Sequence, residues 1–202
     1  GGSILFVCEG NVCRSAFAQV VLSGRLEHLG ITVSSAGTAA LVDSDLDPLA
    51  RSAAEAIVGP VETFLARQLT SAFIEEADVI LTATREQRDL VAAQHPRTLS
   101  RLFALRDFSA LLAQWDGRTV TAPAGSPSLV ALLVKVAAAQ RGSAPMAEAR
   151  EIDVADPYRR GDAAFSRMRN EMLPSLERIE TSLMALSEAS RLLPDAPEAP
   201  RD

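Results

Sequence analysis

The run Cys8-Glu9-Gly10-Asn11-Val12-Cys13-Arg14-Ser15 sets a cysteine, five intervening residues, an arginine and a serine in one short segment. Those residue types at that spacing suit nucleophilic attack on a phosphate-like ester. A five-residue loop that opens onto a helix start can turn successive backbone N–H groups toward one point, and the helix terminus adds its positive end, so the loop cradles an anion. Gly10 and Asn11 are residue types that tolerate the left-handed backbone such a ring of amides demands. Arg14 offers a planar fork of donors to two phosphate oxygens. Cys8, at the floor, feels the same positive field, which favours the thiolate over the thiol. Ser15 can hydrogen-bond the sulfur and ease its departure. Taken singly, Cys8 reads more simply as a buried strand-end cysteine and Arg14 as a solvated helix residue. Their combination on one strand-to-helix loop is what points to chemistry.

A thiolate attacking such an ester needs a proton donor for the departing oxygen. Asp156 is the candidate: it follows the apolar Ile152 and Val154 and stands on a loop held by Pro157, beside Tyr158. By itself it would read as the start of an Asp-Pro turn.

The elements that must position these groups alternate in kind. Ile4 to Cys8 is a continuous apolar run, the pattern of a strand buried on both faces of a parallel sheet, while Gly1-Gly2-Ser3 is set aside from the fold argument as an appended stretch ahead of the natural start. A helix is expected from Cys13 to about His28, on the spacing of Phe17, Val21, Leu22 and Leu26, with Gly30 as its breaker. Thr32 to Ser35 reads as a second strand, Ala40 to Asp47 as an acidic loop, and Pro48 to Ile57 as a helix. Thr70 is placed to cap a short helix over Ser71 to Glu76, Ala77 to Thr82 forms the third strand, and Thr84 caps a helix from Arg85 to about Ala93. The fourth strand falls within Thr98 to Phe103, and a short helix runs from Leu105 to Gln114.

From Asp116 to Ala149 glycines and prolines accumulate around one apolar helix, Leu129 to Ala139, which marks an insertion with Trp115 as its anchor. A packed helix is the simplest role for it; a lid over the site or a homodimer surface are the alternatives. Asp162 caps a long amphipathic helix to about Ser187, kinked at Pro174, and the segment from about residue 190 to Asp202 reads as a disordered tail. A single domain over residues 3–187 with an insertion at about 115–150 follows. Alternating strands and helices imply an α/β fold with a doubly wound parallel sheet, in which ligands bind at the carboxyl ends of the strands. The loop that follows the first strand holds both cysteines.

Together, FVCEGNVCRS near the start and DPY before a long C-terminal helix resemble the low-molecular-weight protein tyrosine phosphatase family. Ser35-Ala36-Gly37-Thr38, Ala66-Arg67-Gln68-Leu69-Thr70 and Ala77-Asp78-Val79-Ile80-Leu81 are similar to further landmarks of that family, in order. The resemblance covers residues 3 to about 114 and 151 to 187. It implies a three-layer fold with a four-stranded parallel sheet flanked by helices. It also implies Cys8 as the nucleophile of a phosphocysteine intermediate, Arg14 as the group that binds phosphate and stabilises the transition state, and Asp156 as the acid that protonates the leaving group and then activates water. No metal or cofactor is called for, because amides and Arg14 supply the positive charge. Asn11 and Ser35 would belong to a network supporting the loop, and Cys13 would trap oxidised Cys8 as a reversible disulfide. The implied substrate is a phosphotyrosine protein or a small aryl phosphate, walled by Tyr158 and Leu41.

Several positions depart from the family pattern. Glu9 brings a negative charge to the rim, which repels acidic substrates and opposes the thiolate. Leu41 lies where an aromatic residue often stacks on the substrate ring, Phe64 where a network histidine often stands, Thr84 where an acidic residue is usual, and Arg159 where a second tyrosine follows Tyr158. Rival readings share the scaffold: an arsenate reductase using an external thiol, since no cysteine follows Cys13; an arginine phosphatase, against which Val12 stands in place of threonine; and a weakly active anion-binding regulatory module, against which the joint presence of Cys8, Arg14 and Asp156 argues.

Composition narrows the classes further. Of 202 residues, 20 are Lys or Arg and 26 Asp or Glu, a formal charge of −6, which disfavours a nucleic-acid partner. With 48% hydrophobic and 23% charged residues the chain sits in the globular range. Apolar runs are strand-sized or short-helix-sized, and the start lacks a signal-peptide pattern, so a cytoplasmic protein with reduced cysteines is expected. The two histidines, His28 and His95, fall at helix ends without metal-ligand spacing.

Overall fold

The computed structural model describes residues 1–117, 128–142 and 152–192. Four strands, β1 (Gly2–Cys8), β2 (Ile31–Gly37), β3 (Val79–Thr82) and β4 (Leu102–Ala104), form one sheet in the order β2-β1-β3-β4. Every pairing is parallel, and Cys8 lies opposite Gly37. Because β1 sits between β2 and β3, the chain reverses its direction of travel across the sheet at the carboxyl end of β1. That is the point where an open α/β sheet leaves a crevice.

Successive strand residues point to opposite faces, and the core divides accordingly. Ile4, Phe6, Cys8, Leu81 and Phe103 pack under α1 (Arg14–Leu26), α2 (Pro48–Val58), α5 (Leu105–Leu112), α6 (Leu129–Ala139) and α7 (Gly161–Leu192). Leu5, Val7, Ile80 and Leu102 pack under Ile74 of α3 (Ser71–Glu76) and Val91 of α4 (Arg85–Gln94). The layers are therefore helix, sheet, helix, as the resemblance implied.

Several boundaries differ from the sequence reading. Gly2 and Ser3, set aside in the sequence reading, are the first residues of β1, and Ser3 Oγ donates to the Glu76 carbonyl while Asp78 N donates back to Ser3 Oγ. β4 begins at Leu102, because Pro96–Arg101 winds as a 3-10 segment ahead of it. Thr70 precedes α3 but its side chain makes no capping bond, whereas Thr84 and Gln87 form a complete capping box on α4. α7 starts at Gly161, so Asp162 lies in its first turn rather than ahead of it, and the helix continues through Pro174 to Leu192. Residues 190–192, expected in the tail, instead continue α7, because the helix runs on to Leu192; the rest of the tail and much of the insertion lie outside the described residues.

The insertion helix α6 is core-packed, with Val130, Leu133 and Ala137 fully buried. It joins the sheet at the end opposite Cys8: Leu129 N donates to the Gly1 carbonyl and Ser128 Oγ to Asp78. A lid role for α6 is thereby corrected, since the whole length of β1 separates it from the loop. Among the described residues no helix is long and apolar enough to cross a membrane.

Candidate active site

Residues Glu9–Cys13 link β1 to α1, and their carbonyls are held from outside. Thr38 N donates to the Cys8 carbonyl, Ala39 N to that of Glu9, Leu41 N to that of Gly10 and Asp47 N to that of Val12. In a trans peptide the N–H that follows a carbonyl points the opposite way, and the chain has no cis bond among the described residues. The amides of Glu9, Gly10, Asn11 and Cys13 therefore face the interior of the loop. Asn11 N realises this directly, donating to Cys8 Sγ at 3.3 Å. Of the two residues expected to be left-handed, only Asn11 is, at φ 55°, while Gly10 takes an ordinary backbone. The glycine the loop requires is Gly37 on β2, where a Cβ would collide with the Glu9 carbonyl.

Beneath the loop a directed hydrogen-bond chain orients the sulfur. Arg67 N can only donate, and it donates to Asn11 Oδ1 at 2.8 Å, which fixes the amide so that Nδ2 faces two hydroxyls. Nδ2 donates to Ser15 Oγ (2.9 Å) and Ser35 Oγ (2.8 Å). Ser35 passes its own proton to Gln19 Oε1 at 2.7 Å. Ser15 Oγ, already an acceptor, stands 2.9 Å from Cys8 Sγ, so its proton is free to face the sulfur. Phe64 is buried in the core, and the Arg67 side chain reaches Gln19 and the Ser35 carbonyl. Sequence reasoning misses Gln19 and Arg67 as members of this network. Arg67 falls within a family landmark, and Gln19 lies one helical turn after Ser15, which are the available signals.

Arg14 is buried at 4% exposure. One guanidinium nitrogen donates to the Val154 carbonyl at 3.3 Å and the other stands 3.2 Å from Asp156 Oδ1. Its Nε is buried with no hydrogen-bond partner among the described residues, a donor suited to an anion oxygen. Asp156 reaches this position on a loop pinned at three successive residues: Arg85 N, at the start of α4, donates to Asp153 Oδ1, Val154 N to the Ala83 carbonyl, and Ala155 N to Glu171 Oε2. None of these three tethers is legible in the sequence.

These groups enclose a cavity of about 210 Å³, with Cys8, Cys13, Arg14 and Asp156 among its walls. Glu9, Gly10 and Val12 border it from the loop, and Leu41 and Tyr158 from across the mouth. Ser15, Asn11 and Ser35 support the loop without lining the cavity. Leu41 is 39% exposed, and Arg159 lies over the Tyr158 ring at 5.0 Å, closing the outer face of that wall. Burial, reinforced by the negative charges of Asp47, Cys8 and Asp156 and opposed by Arg14, pushes the Cys13 thiol far up. Cys13 therefore holds its proton beside Cys8 more firmly than an ordinary thiol.

A cysteine sulfur, an arginine fork, inward amides and a carboxyl group over one small cavity are the groups a cysteine-based phosphatase uses. The low molecular weight phosphotyrosine protein phosphatase family model matches residues 3–123. The chain belongs to that family. It is 36% identical over 113 residues to the low molecular weight protein-tyrosine-phosphatase Wzb of Salmonella typhi, covering 56% of this chain and 70% of that protein. It is 30% identical over 112 residues to the protein-arginine-phosphatase of Bacillus subtilis, covering 52% and 71%. In three dimensions it is similar to the YwlE arginine phosphatase of Geobacillus stearothermophilus, with a TM-score of 0.68 at 21% identity over 97% of this chain and 100% of that one. The tyrosine phosphatase Wzb of Escherichia coli K30 in complex with sulphate gives 0.63 at 21% identity, over 90% and 98%.

Proposed function

We propose that this phosphatase hydrolyses aryl phosphomonoesters, phosphotyrosine in proteins being the substrate class, through Cys8, Arg14 and Asp156. The convergence of those three side chains on one cavity carries the reading. The phosphoryl group enters the ring of amides, and its oxygens take the donors of Arg14, including the free Nε. The guanidinium thereby exchanges Asp156 for phosphate, and Asp156 is left facing the bridging oxygen. Cys8 sulfur attacks phosphorus as the bond to the leaving oxygen breaks, and Asp156 gives that oxygen its proton. Asp156, now ionised, takes a proton from water as the water attacks phosphorus; the sulfur leaves as a thiolate, received by Ser15 Oγ and Asn11 N. The amides and Arg14 hold the charge that builds on the equatorial oxygens.

Val12, Leu41 and Tyr158 give the mouth an apolar lining suited to an aryl ring, which supports tyrosine as the esterified residue. One observation favours a second reading: the Glu9 carboxylate at the wall would pair with the guanidinium of a phosphoarginine. Turnover of matched phosphotyrosine and phosphoarginine peptides, with Cys8→Ser as the blank, separates the two. A ratio of kcat/KM above about ten for phosphotyrosine is expected; a ratio inverted in favour of phosphoarginine overturns the substrate assignment, and para-nitrophenyl phosphate left untouched by fresh, reduced protein overturns the reaction.

A further inference from the structure

A groove of about 460 Å³ opens beside the catalytic cavity and shares two wall residues with it, Glu9 and Ala39. Helix α4 contributes Glu86, Gln87 and Leu90 to its lining. A peptide whose phosphotyrosine fills the cavity therefore passes one flank over Glu9 and into the groove. Two carboxylates line this space, Glu9 and Glu86, and no cationic side chain does. Neither carboxylate makes an ion pair or a hydrogen bond among the described residues. The nearby cations of α4 are committed elsewhere, Arg85 to Asp153 and Arg88 to Asp89.

Gln87 is an independent mark of a binding surface. It is 8% exposed, and Thr84 N, which can only donate, donates to its Oε1 at 3.2 Å in the capping box, so the orientation of the amide is fixed. The remaining nitrogen, Nε2, has no partner among the described residues, and the residue lines the groove, which gives that space a donor suited to a peptide carbonyl. Leu90, 44% exposed, adds an apolar strip to the same wall. Lysine and arginine lay their apolar stems along such a surface while their charged heads reach beyond it.

We propose that this groove is a subsite for a basic side chain of the substrate, a lysine or arginine flanking the phosphotyrosine, with its head at Glu9 and Glu86, its stem on Leu90 and an adjoining carbonyl on Gln87 Nε2. The proposal rests on the reading of the cavity as a phosphotyrosine site and adds to it the sequence around that residue. An extended chain advances about 3.3 Å per residue, so residues one to three places away lie roughly 3–10 Å from the phosphotyrosine, the reach of a groove that begins at the cavity rim. An acidic flank meets two unpaired like charges. Glu9 borders both spaces, whereas Glu86 lines the groove and not the cavity, so a change at Glu86 isolates the flanking contact.

Phosphotyrosine peptides identical but for lysine, glutamine or glutamate at the flanking positions, N-terminal in one set and C-terminal in another, test the subsite on the full chain. In at least one set the lysine peptide is expected to exceed the glutamate peptide about tenfold in kcat/KM, through KM, and 1 M salt, with its Debye length of about 3 Å, to shrink that ratio severalfold. Glu86→Gln should lower the ratio and Glu86→Lys bring it to about two or below. Each ratio is taken within one protein, so a loss of active fraction does not move it. Equal kcat/KM for all peptides in wild type, or a ratio unchanged in Glu86→Lys, overturns the subsite and leaves the phosphotyrosine reading in place. Fluorescence anisotropy of the same peptides on Cys8→Ser, which binds without turnover, should give the same order. Hydrolysis of para-nitrophenyl phosphate with no peptide bound or turned over overturns the substrate class and the subsite with it. Absence of all turnover with the anisotropy order intact counts against the reaction and supports the subsite.

Discussion

Asn11 is the residue on which the cradle depends most, and replacing it separates two physical costs. Its side chain is fully buried and makes three hydrogen bonds, to Ser15 and Ser35 and from Arg67 N, at 2.8–2.9 Å. Each contributes roughly 0.5–1.5 kcal/mol net, so deletion of all three costs about 1.5–4.5 kcal/mol. The backbone at φ 55° adds about 1–2 kcal/mol for alanine, which tolerates that region poorly. Asn11→Ala is therefore expected to lose about 2.5–6.5 kcal/mol. Asn11→Gly loses the same bonds without the steric term and, after the extra entropy of glycine in the unfolded chain, should be roughly 0.5–1 kcal/mol more stable than Asn11→Ala. Urea unfolding of the three proteins, with an unchanged m-value as the check on mechanism, reads both numbers. Asn11→Ala within about 1 kcal/mol of wild type would refute the network argument. Asn11→Gly no more stable than Asn11→Ala would refute the backbone one. Both variants should also slow release of the cysteinyl phosphate, because Ser15 Oγ is then no longer held by Nδ2 and its proton can turn to the Ala36 carbonyl at 3.5 Å.

The two glycines of the loop should behave oppositely. Gly10→Ala meets only ordinary contacts, the nearest at 3.7 Å, and is expected to fold and turn over within a few-fold of wild type, while Gly37→Ala drives the loop off β2 and abolishes turnover in the same assay. Asp156→Asn should lower kcat by about 10²–10⁴ for phenyl phosphate and far less for para-nitrophenyl phosphate, whose leaving group needs little protonation; equal losses would remove Asp156 from the acid role. Cys13 gives a pH signature. Its thiol is raised in the folded protein above its ordinary 9.0, so below that pH both states keep the proton and stability is flat, while above it the unfolded chain binds one proton fewer. Stability then falls by about 1.4 kcal/mol per pH unit, and Cys13→Ala, followed by urea unfolding from about pH 8 to 10.5, should abolish that slope.

What the sequence made legible is what is local in the chain. Cys8 to Ser15 is eight consecutive residues whose types declare an anion loop, and the alternating apolar runs around it declare the sheet. The three-layer fold and the four parallel strands follow from the same patterns. Errors fall where one element's limits are decided by another: β1 reaches back to Gly2 because β2 continues to pair with it there, and β4 shrinks because a 3-10 turn occupies the residues before it. Asn11 alone makes the left-handed turn that Gly10 also suggests, since a glycine permits that backbone without requiring it.

The part that could not be read is how the loop is held. Its shape is imposed by backbone donors of Thr38, Ala39, Leu41 and Asp47, and backbone groups carry no residue-type signal. Any sequence that folds this way supplies them, so the segment after β2 is free to vary in side chain while its main chain stays bound to the loop. This accounts for Leu41: a residue whose N–H does structural work can change its side chain at little cost to the cradle, and its exposed side chain then alters what the mouth admits. The same logic separates the departures from the family pattern. Phe64 is buried in the core, and Gln19 with Arg67 wires the site beneath Ser35. Glu9, on the loop, and Leu41, on the segment that holds it, instead place side chains at the cavity wall while their main-chain hydrogen bonds keep the loop in shape. In the proposed mechanism the chemistry rests on the inward amides, Cys8, Arg14 and Asp156 and the choice of substrate on the side chains at the cavity mouth, so exchanging Glu9 and Leu41 is expected to move preference among esters without ending hydrolysis.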